Sequence, residues 1–208
     1  MIRQLSSFAI HGLLLGSFAV SATAQQTQPV FKDSRDGQTY PIIEVGGMRW
    51  FARNLNYQTE NSYCYDEKPK HCENHGRLYR WEAALSACPS GWHLSTEYEW
   101  QSLEVTVEMP FAELEARGDR GTKEGARLKK GGDTGFNAQL SGWRRSEDGG
   151  YEAINDNAAY WTSTESDLNH AWHRDVDTGD DMIFRSRVVK PYGLSVRCVA
   201  NRSEEDGE

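Results

Sequence analysis

Four cysteines, six histidines and 31 aspartates and glutamates are the side chains of this 208-residue chain that could hold a metal, a proton or a thiolate. Spacing decides among those chemistries. Cys64, Cys72, Cys88 and Cys198 are an even set, which in an exported chain reads as two disulfides, and four cysteines allow three pairings. We favour Cys64–Cys72 as a short local clip and Cys88–Cys198 as a long staple from the end of a helix to the last strand. The competing chemistry is zinc, because Lys70-His71-Cys72-Glu73-Asn74-His75 sets two histidines beside a thiol. A structural zinc site wants four spaced soft ligands with paired C-x-x-C or H-x-x-H elements, and this segment lacks them.

Oxygen ligands are the next possibility. Asp175, Asp177, Asp180 and Asp181 are the candidate set for calcium, which needs several convergent oxygens. Acidic residues at a hairpin turn more often form a solvated turn, so we expect no metal. His170 and His173 lie three apart on a strand and project to opposite faces, which makes them a poor metal pair. For acid–base chemistry, Glu97 and Glu99 could pass as a glycosidase pair. Two residues apart at a helix start, they read instead as capping and dipole partners. No G-x-S-x-G elbow, H-E-x-x-H motif or phosphate-cradling loop is present, so we expect no catalytic residue and no cofactor.

Binding remains. Residues 131–157 gather Trp143, Arg144, Arg145, Tyr151, Asn155, Asp156 and Asn157 in a polar, aromatic stretch. Exposed rings beside amides and charges suit stacking on sugars with hydrogen bonds to their hydroxyls. Loops on a rigid scaffold are where binding residues concentrate. The competing reading is that Trp143 plugs the core. The partners this implies are a glycan or a protein of the bacterial envelope.

The elements that must position these residues follow an export leader. Residues 2–24 carry Arg3, no acidic residue, an apolar run over Phe8–Val20 and a terminal Ala22-Thr23-Ala24, the layout of a signal peptide cut before Gln25. The run is shorter than the roughly 20 residues that span a bilayer, and His11 interrupts it. With no cysteine near the cut, we do not expect an acylated lipoprotein, and nothing after residue 24 resembles a transmembrane span. The formal charge of −8 becomes −9 once Arg3 leaves with the leader. Such acidity argues against general affinity for nucleic acid or anionic membranes.

Within the mature chain, Tyr40–Val45 and Met48–Arg53 flank Gly46-Gly47 and read as a β-hairpin. Arg77–Ala87 reads as a helix stopped by Pro89. Thr96-Glu97-Tyr98-Glu99 is a capping box opening a second helix that places Trp100, Leu103 and Val107 on one face and ends before Pro110. A short helical insert, Phe111–Ala116, follows. From Gly118 the pattern turns glycine-punctuated and irregular. Strands then read over Tyr160–Thr164, His170–Asp177, Asp181–Ser186 and Leu194–Val199.

These segments carry a family resemblance. Asp36-Gly-Gln-Thr-Tyr40, Trp50-Phe-Ala-Arg-Asn-Leu-Asn56, Gly76-Arg-Leu-Tyr-Arg-Trp-Glu-Ala-Ala84 and Cys88-Pro-Ser-Gly-Trp-His-Leu94 come first. Gly135-Phe-Asn-Ala-Gln-Leu-Ser-Gly142, Tyr160-Trp-Thr-Ser163 and Tyr192-Gly-Leu-Ser-Val-Arg-Cys-Val199 continue the series. In this order they resemble the Fibrobacter succinogenes major paralogous domain over roughly residues 33–200. The resemblance implies an exported bacterial protein and brings no established biochemical activity. The pattern is also similar to the C-type-lectin-like fold, whose pairing of a helix cysteine with one in the final strand implies Cys88–Cys198. Calcium-dependent sugar binding in C-type lectins uses a Glu-Pro-Asn or Gln-Pro-Asp loop and a Trp-Asn-Asp strand. Neither occurs here, and Tyr160-Trp-Thr-Ser163 is not equivalent. The formylglycine-generating enzymes are distantly similar in fold, but their oxidase chemistry needs a dedicated cysteine pair.

The expectation is therefore an α+β, C-type-lectin-like domain, an antiparallel sheet with two helices, long glycine-rich loops and two disulfides. Residues 1–24 would be leader, 25–32 linker, 33–200 the domain and 201–208 a disordered acidic tail. Trp81, Trp92, Trp100, Leu103, Trp161 and Val196 should be buried. The protein would act in the periplasm, at the cell surface or outside the cell, as a calcium-independent binding module or a structural component of the envelope.

Overall fold

The computed structural model describes residues 28–202, so the leader expected over residues 1–24 and residues 203–208 of the expected tail lie outside it. The amino-terminal hairpin forms as expected. Strand β2 (Thr39–Val45) returns through Gly46-Gly47 as β3 (Met48–Phe51), with Val45 facing Met48. Both turn glycines hold positive φ (64° and 70°), and a Cβ on Gly46 would meet the Leu103 backbone at 2.9 Å. Before them, β1 (Val30–Lys32) pairs Val30 with Pro41, so part of the stretch read as linker is already sheet.

The next segment departs from expectation. β4 (Ser62–Tyr63) pairs with β5 (Leu78–Tyr79), and helix α1 (Pro69–His75) lies between them. The helix read over Arg77–Ala87 is really β5 followed by α2 (Trp81–Ala87). Leu78 fits the helical spacing of Trp81 and Leu85, yet its backbone pairs with Tyr63. Helix α1 has no apolar stripe to announce it. Pro69 opens it, Gly76 at φ 77° closes it, and the Cys64–Cys72 bond holds it down.

After β6 (Trp92–Leu94), helix α3 (Glu97–Thr106) carries the expected capping box. The Glu99 N–H donates to Thr96 Oγ1 at 3.1 Å, and the Thr96 N–H donates back to Glu99 Oε2 at 2.8 Å. Phe111–Glu113 is one short 3-10 turn. The stretch from Gly118, expected to be irregular, contains β7 (Gly118–Arg120), α4 (Glu124–Leu128), β8 (Ser141–Arg144) and β9 (Tyr151–Ile154). β10 (Asn157–Asp167), β11 (His170–Asp177), β12 (Ile183–Val189) and β13 (Cys198–Ala200) complete the chain.

The fold is α+β and mostly sheet. In place of one sheet with two helices, the described residues form two main sheets, ordered β1-β2-β3-β13-β6 and β7-β12-β11-β10-β8-β9, a small β4-β5 pair and four α-helices. Named strands pair antiparallel except β8 with β10. Both disulfides join the favoured partners: Cys64–Cys72 with Cα atoms 5.0 Å apart and Cys88–Cys198 at 5.9 Å. The second ties the end of α2 to β13, which itself lies between β3 and β6.

Aromatic packing fills two adjoining cores. Trp50, Trp100, Phe136 and Tyr160 anchor one; Phe51, Trp81, Trp161 and Val196 anchor the other. Of the six residues expected inside, five are buried, and Trp92 is half-buried against Phe51 at the sheet edge. Beneath α3 lies a charged cluster. Glu104, wholly buried, takes Arg120 and Arg174 at 2.6 Å each, and Glu97 takes Arg174 at 2.5 Å and Arg185 at 3.0 Å. Burial opposes the charge of Arg174, but Glu104 and Glu97 outweigh it and leave its pKa raised.

Candidate functional site

The seven residues expected to bind lie on or beside the β8–β9 hairpin, but they do not form one face. Trp143 pairs with Glu152 and Arg144 with Tyr151, and consecutive strand residues point to opposite sides. Gly142 makes the close approach possible: at φ 62° its Cβ would sit 2.1 Å from the Glu152 carbonyl oxygen. On one side, the Arg144 guanidinium lies 4.1 Å above the Tyr63 ring, beside Tyr151 and Tyr65. Burial pushes the Tyr151 phenol up, and its hydrogen bond to Glu67 adds to the shift. Arg145 is taken up by the turn, pairing with Asp148 and Glu152. Asn155 and Asp156 are exposed at the far end, Asp156 receiving the Thr178 hydroxyl, and Asn157 opens β10.

Trp143 faces the other way and is half-buried, part of its ring packing on the second core. The rest walls a hollow of about 230 Å³ together with Tyr192, Glu152, His173 and Asp175. Strand β11 supplies the polar floor by alternation. Arg174 points into the charged cluster, while His173 and Asp175 on either side of it point to the hollow. His173 Nδ1 and Asp175 Oδ1 are buried and have no hydrogen-bond partner, and His173 Nε2 stands 3.7 Å from Asp175. Most buried polar atoms find partners, so two unmet ones on residues lining one hollow are informative. Their signal in the sequence is weak: that parity of the strand reads Ala171, His173, Asp175 and Asp177, and nothing local separates two of them from ordinary polar positions.

The aspartates read as a calcium set are separated. Asp177 accepts the backbone N–H groups of Gly179 and Asp180, Asp180 accepts that of Met182, and Asp181 pairs with Lys129 at 3.1 Å. Only Asp175 reaches the hollow. Among the described residues, no three His, Cys, Asp or Glu side chains are grouped to hold a metal ion. No helix of the described residues is long and apolar enough to cross a membrane. Glu99 caps the helix, as its spacing suggested, whereas Glu97, expected to be a cap and dipole partner as well, turns into the charged cluster.

The model of the Fibrobacter succinogenes major domain matches residues 43–200. The chain belongs to that family. No curated protein and no solved structure matches it. In this Fibrobacter succinogenes major domain the motifs that contain Phe51 and Leu55, Trp81, Trp161 and Val196 build the second core, while Trp50 of the first of them enters the other core. They hold the hollow's floor without forming its polar surface.

Proposed function

We propose that this domain is an exported, non-catalytic, calcium-independent binding module that holds a neutral sugar ring in the hollow between Trp143 and Tyr192. A C-type-lectin-like arrangement is part of the proposal, supported by the Cys88–Cys198 link from α2 to β13. The observation that carries the reading is the pair of unmet buried polar atoms, His173 Nδ1 and Asp175 Oδ1, beside an aromatic wall. A ring stacked on Trp143 would bring hydroxyls that donate to Asp175 and bond His173, satisfying both. A volume near 230 Å³ lies just below the roughly 300–1,000 Å³ of drug-sized pockets, which suits one ring and not a long ligand. No serine, threonine or cysteine lines it.

The test is a glycan array read with and without chelator. Binding of neutral glycans that survives chelation, and falls at least about tenfold in Asp175→Asn as expected for a hydrogen bond to a charged group, supports the reading. Binding that needs calcium, or that ignores Asp175→Asn, refutes it. Recovery of a cleaved glycan would replace a binding module with an enzyme.

A further inference from the structure

A second, larger cleft of about 700 Å³ lies beyond the base of the β8–β9 hairpin, where Asn155 and Leu140 form one edge. Its other walls include Ala52–Arg53, Asn74–His75 and Lys130, with Gln28 and Pro41 at the margin. They are held together from below. The Asn54 N–H donates to Gln139 Oε1 at 2.6 Å, Gln139 Nε2 donates to the Asn74 carbonyl at 2.7 Å, and Asn54 Nδ2 donates to the His75 carbonyl at 2.9 Å. Gly76 permits this closeness, since its Cβ would lie 2.6 Å from that of Asn54.

The charge of this cleft is opposite to that of the chain. Acidic residues outnumber Lys and Arg by 31 to 23, yet no Asp or Glu lines the cleft, while Arg53 and Lys130 do. Both are exposed, and among the described residues neither is in an ion pair; Arg53 donates only to the Glu73 carbonyl at 3.2 Å. Behind the wall is a third cation. Arg197 is fully buried and bonded to Asn54 Oδ1 and to the carbonyls of Phe51, Phe136 and Asn137, with no carboxylate beside it. A buried charge is usually paired with an opposite one. Here its nearest partners are carbonyl and amide oxygens, two of them on residues that line or brace the cleft. Buried charge is screened less than exposed charge, and Arg197 and Arg53 of the cleft wall lie close enough to interact.

We propose that this cleft is a second binding site, independent of the hollow at Trp143, and that it takes a carboxylate-bearing glycan such as a uronate oligosaccharide. The carboxylate would pair with Arg53 and Lys130, and the sugar hydroxyls would bond the side chains of Asn74, Asn137 and Asn155, each of which can donate and accept. The size lies within the range of small-ligand sites.

The experiment is calorimetric titration of the whole mature protein with tetragalacturonate and, separately, with its methyl ester, which keeps the backbone and loses the charge. The expected result is binding of the acid that weakens with added salt, with the ester weaker by roughly tenfold or more. Arg53→Gln and Lys130→Gln, both at exposed positions, should each weaken the acid by several-fold and leave thermal stability unchanged. Asp175→Asn in the hollow should leave the acid's affinity as it was. Failure to bind the acid, equal binding of acid and ester, or indifference to both cation variants would overturn the proposal. A loss caused by Asp175→Asn would overturn it too, by placing the ligand in the other site.

Discussion

On one face of β11, Arg174 enters a cluster in which Glu97 and Glu104 receive three guanidiniums and all but Arg120 Nε find a partner. On the other face, His173 and Asp175 keep polar atoms buried and unmet beside an open hollow. The residues alternate along one strand, Arg174 wholly buried, His173 nearly so and Asp175 partly, yet each keeps polar atoms away from solvent, so burial of those atoms alone does not separate structure from function. Satisfaction does. A buried polar set that closes on itself holds elements together, here α3 against β7, β11 and β12. A set left open is poised to bond something from outside.

The strongest way to break that contrast is at Glu104. Replacing it with Gln leaves three buried guanidiniums with one carboxylate, Glu97, that reaches Arg174 and Arg185 but not Arg120. Removing one partner of a buried ion pair costs about 3–5 kcal/mol, a fall in Tm on the order of 10 °C for a domain of this size. Chemical and thermal unfolding of Glu104→Gln measures it. A loss below about 1 kcal/mol would mean the cluster is wet and weakly coupled, and the contrast with the hollow would collapse.

His173→Leu should behave differently. It removes a group whose Nδ1 already lacks a partner, so stability should change by less than about 1 kcal/mol in either direction. Sugar binding in the hollow should be lost in the same variant. A cost comparable to that of Glu104→Gln would assign His173 to the scaffold and sharpen the boundary against the present placement.

The two regions were unequally legible in the sequence. The hairpin at Gly46-Gly47, the capping box at Thr96 and the Cys64–Cys72 clip could be read because each depends on residues close together, and Cys88–Cys198 because the fold resemblance favours it among the three pairings. The charged cluster could not: Glu97 looked like a cap residue, and nothing local says that Arg174, 77 positions later, meets it. β8 and β9 were hidden because Gly142 and the left-handed Ala153 and Asn155 look like loop, although they serve a tight hairpin. Trp143 stands out in the sequence as a ring in a polar loop, but of the polar groups that share its hollow only Glu152 comes from that stretch; His173 and Asp175 come from β11. Arg197 lay in a recognised motif, yet its lone burial is visible only when Asn54 and Phe136 are seen around it.

A smaller effect tests a case between the two faces. His93 Nε2 lies 2.7 Å from Glu99, and its Nδ1 lies 2.7 Å from Asn201, linking β6, α3 and the chain just after β13. The bond to Glu99 raises the pKa of His93 above its ordinary 6.5 against the opposing pull of burial. Burial pushes Glu99 up, but its bonds to His93 and Thr96 outweigh that and leave it below its ordinary 4.5. A raised histidine contributes stability that is complete below 6.5 and is lost as pH rises through its folded pKa. A lowered carboxylate contributes stability that is present above 4.5 and is lost as pH falls through its folded pKa. The link is therefore fully charged and strongest between about 4.5 and 6.5. His93 is 35% exposed, so solvent screening holds its worth below about 1 kcal/mol. The stability difference between the parent and His93→Gln should peak in that window and shrink on both sides, measured by denaturant unfolding at pH 4, 5.5 and 8. A difference that stays flat with pH would mean a neutral hydrogen bond. A difference of several kcal/mol would place this link with the closed cluster under α3.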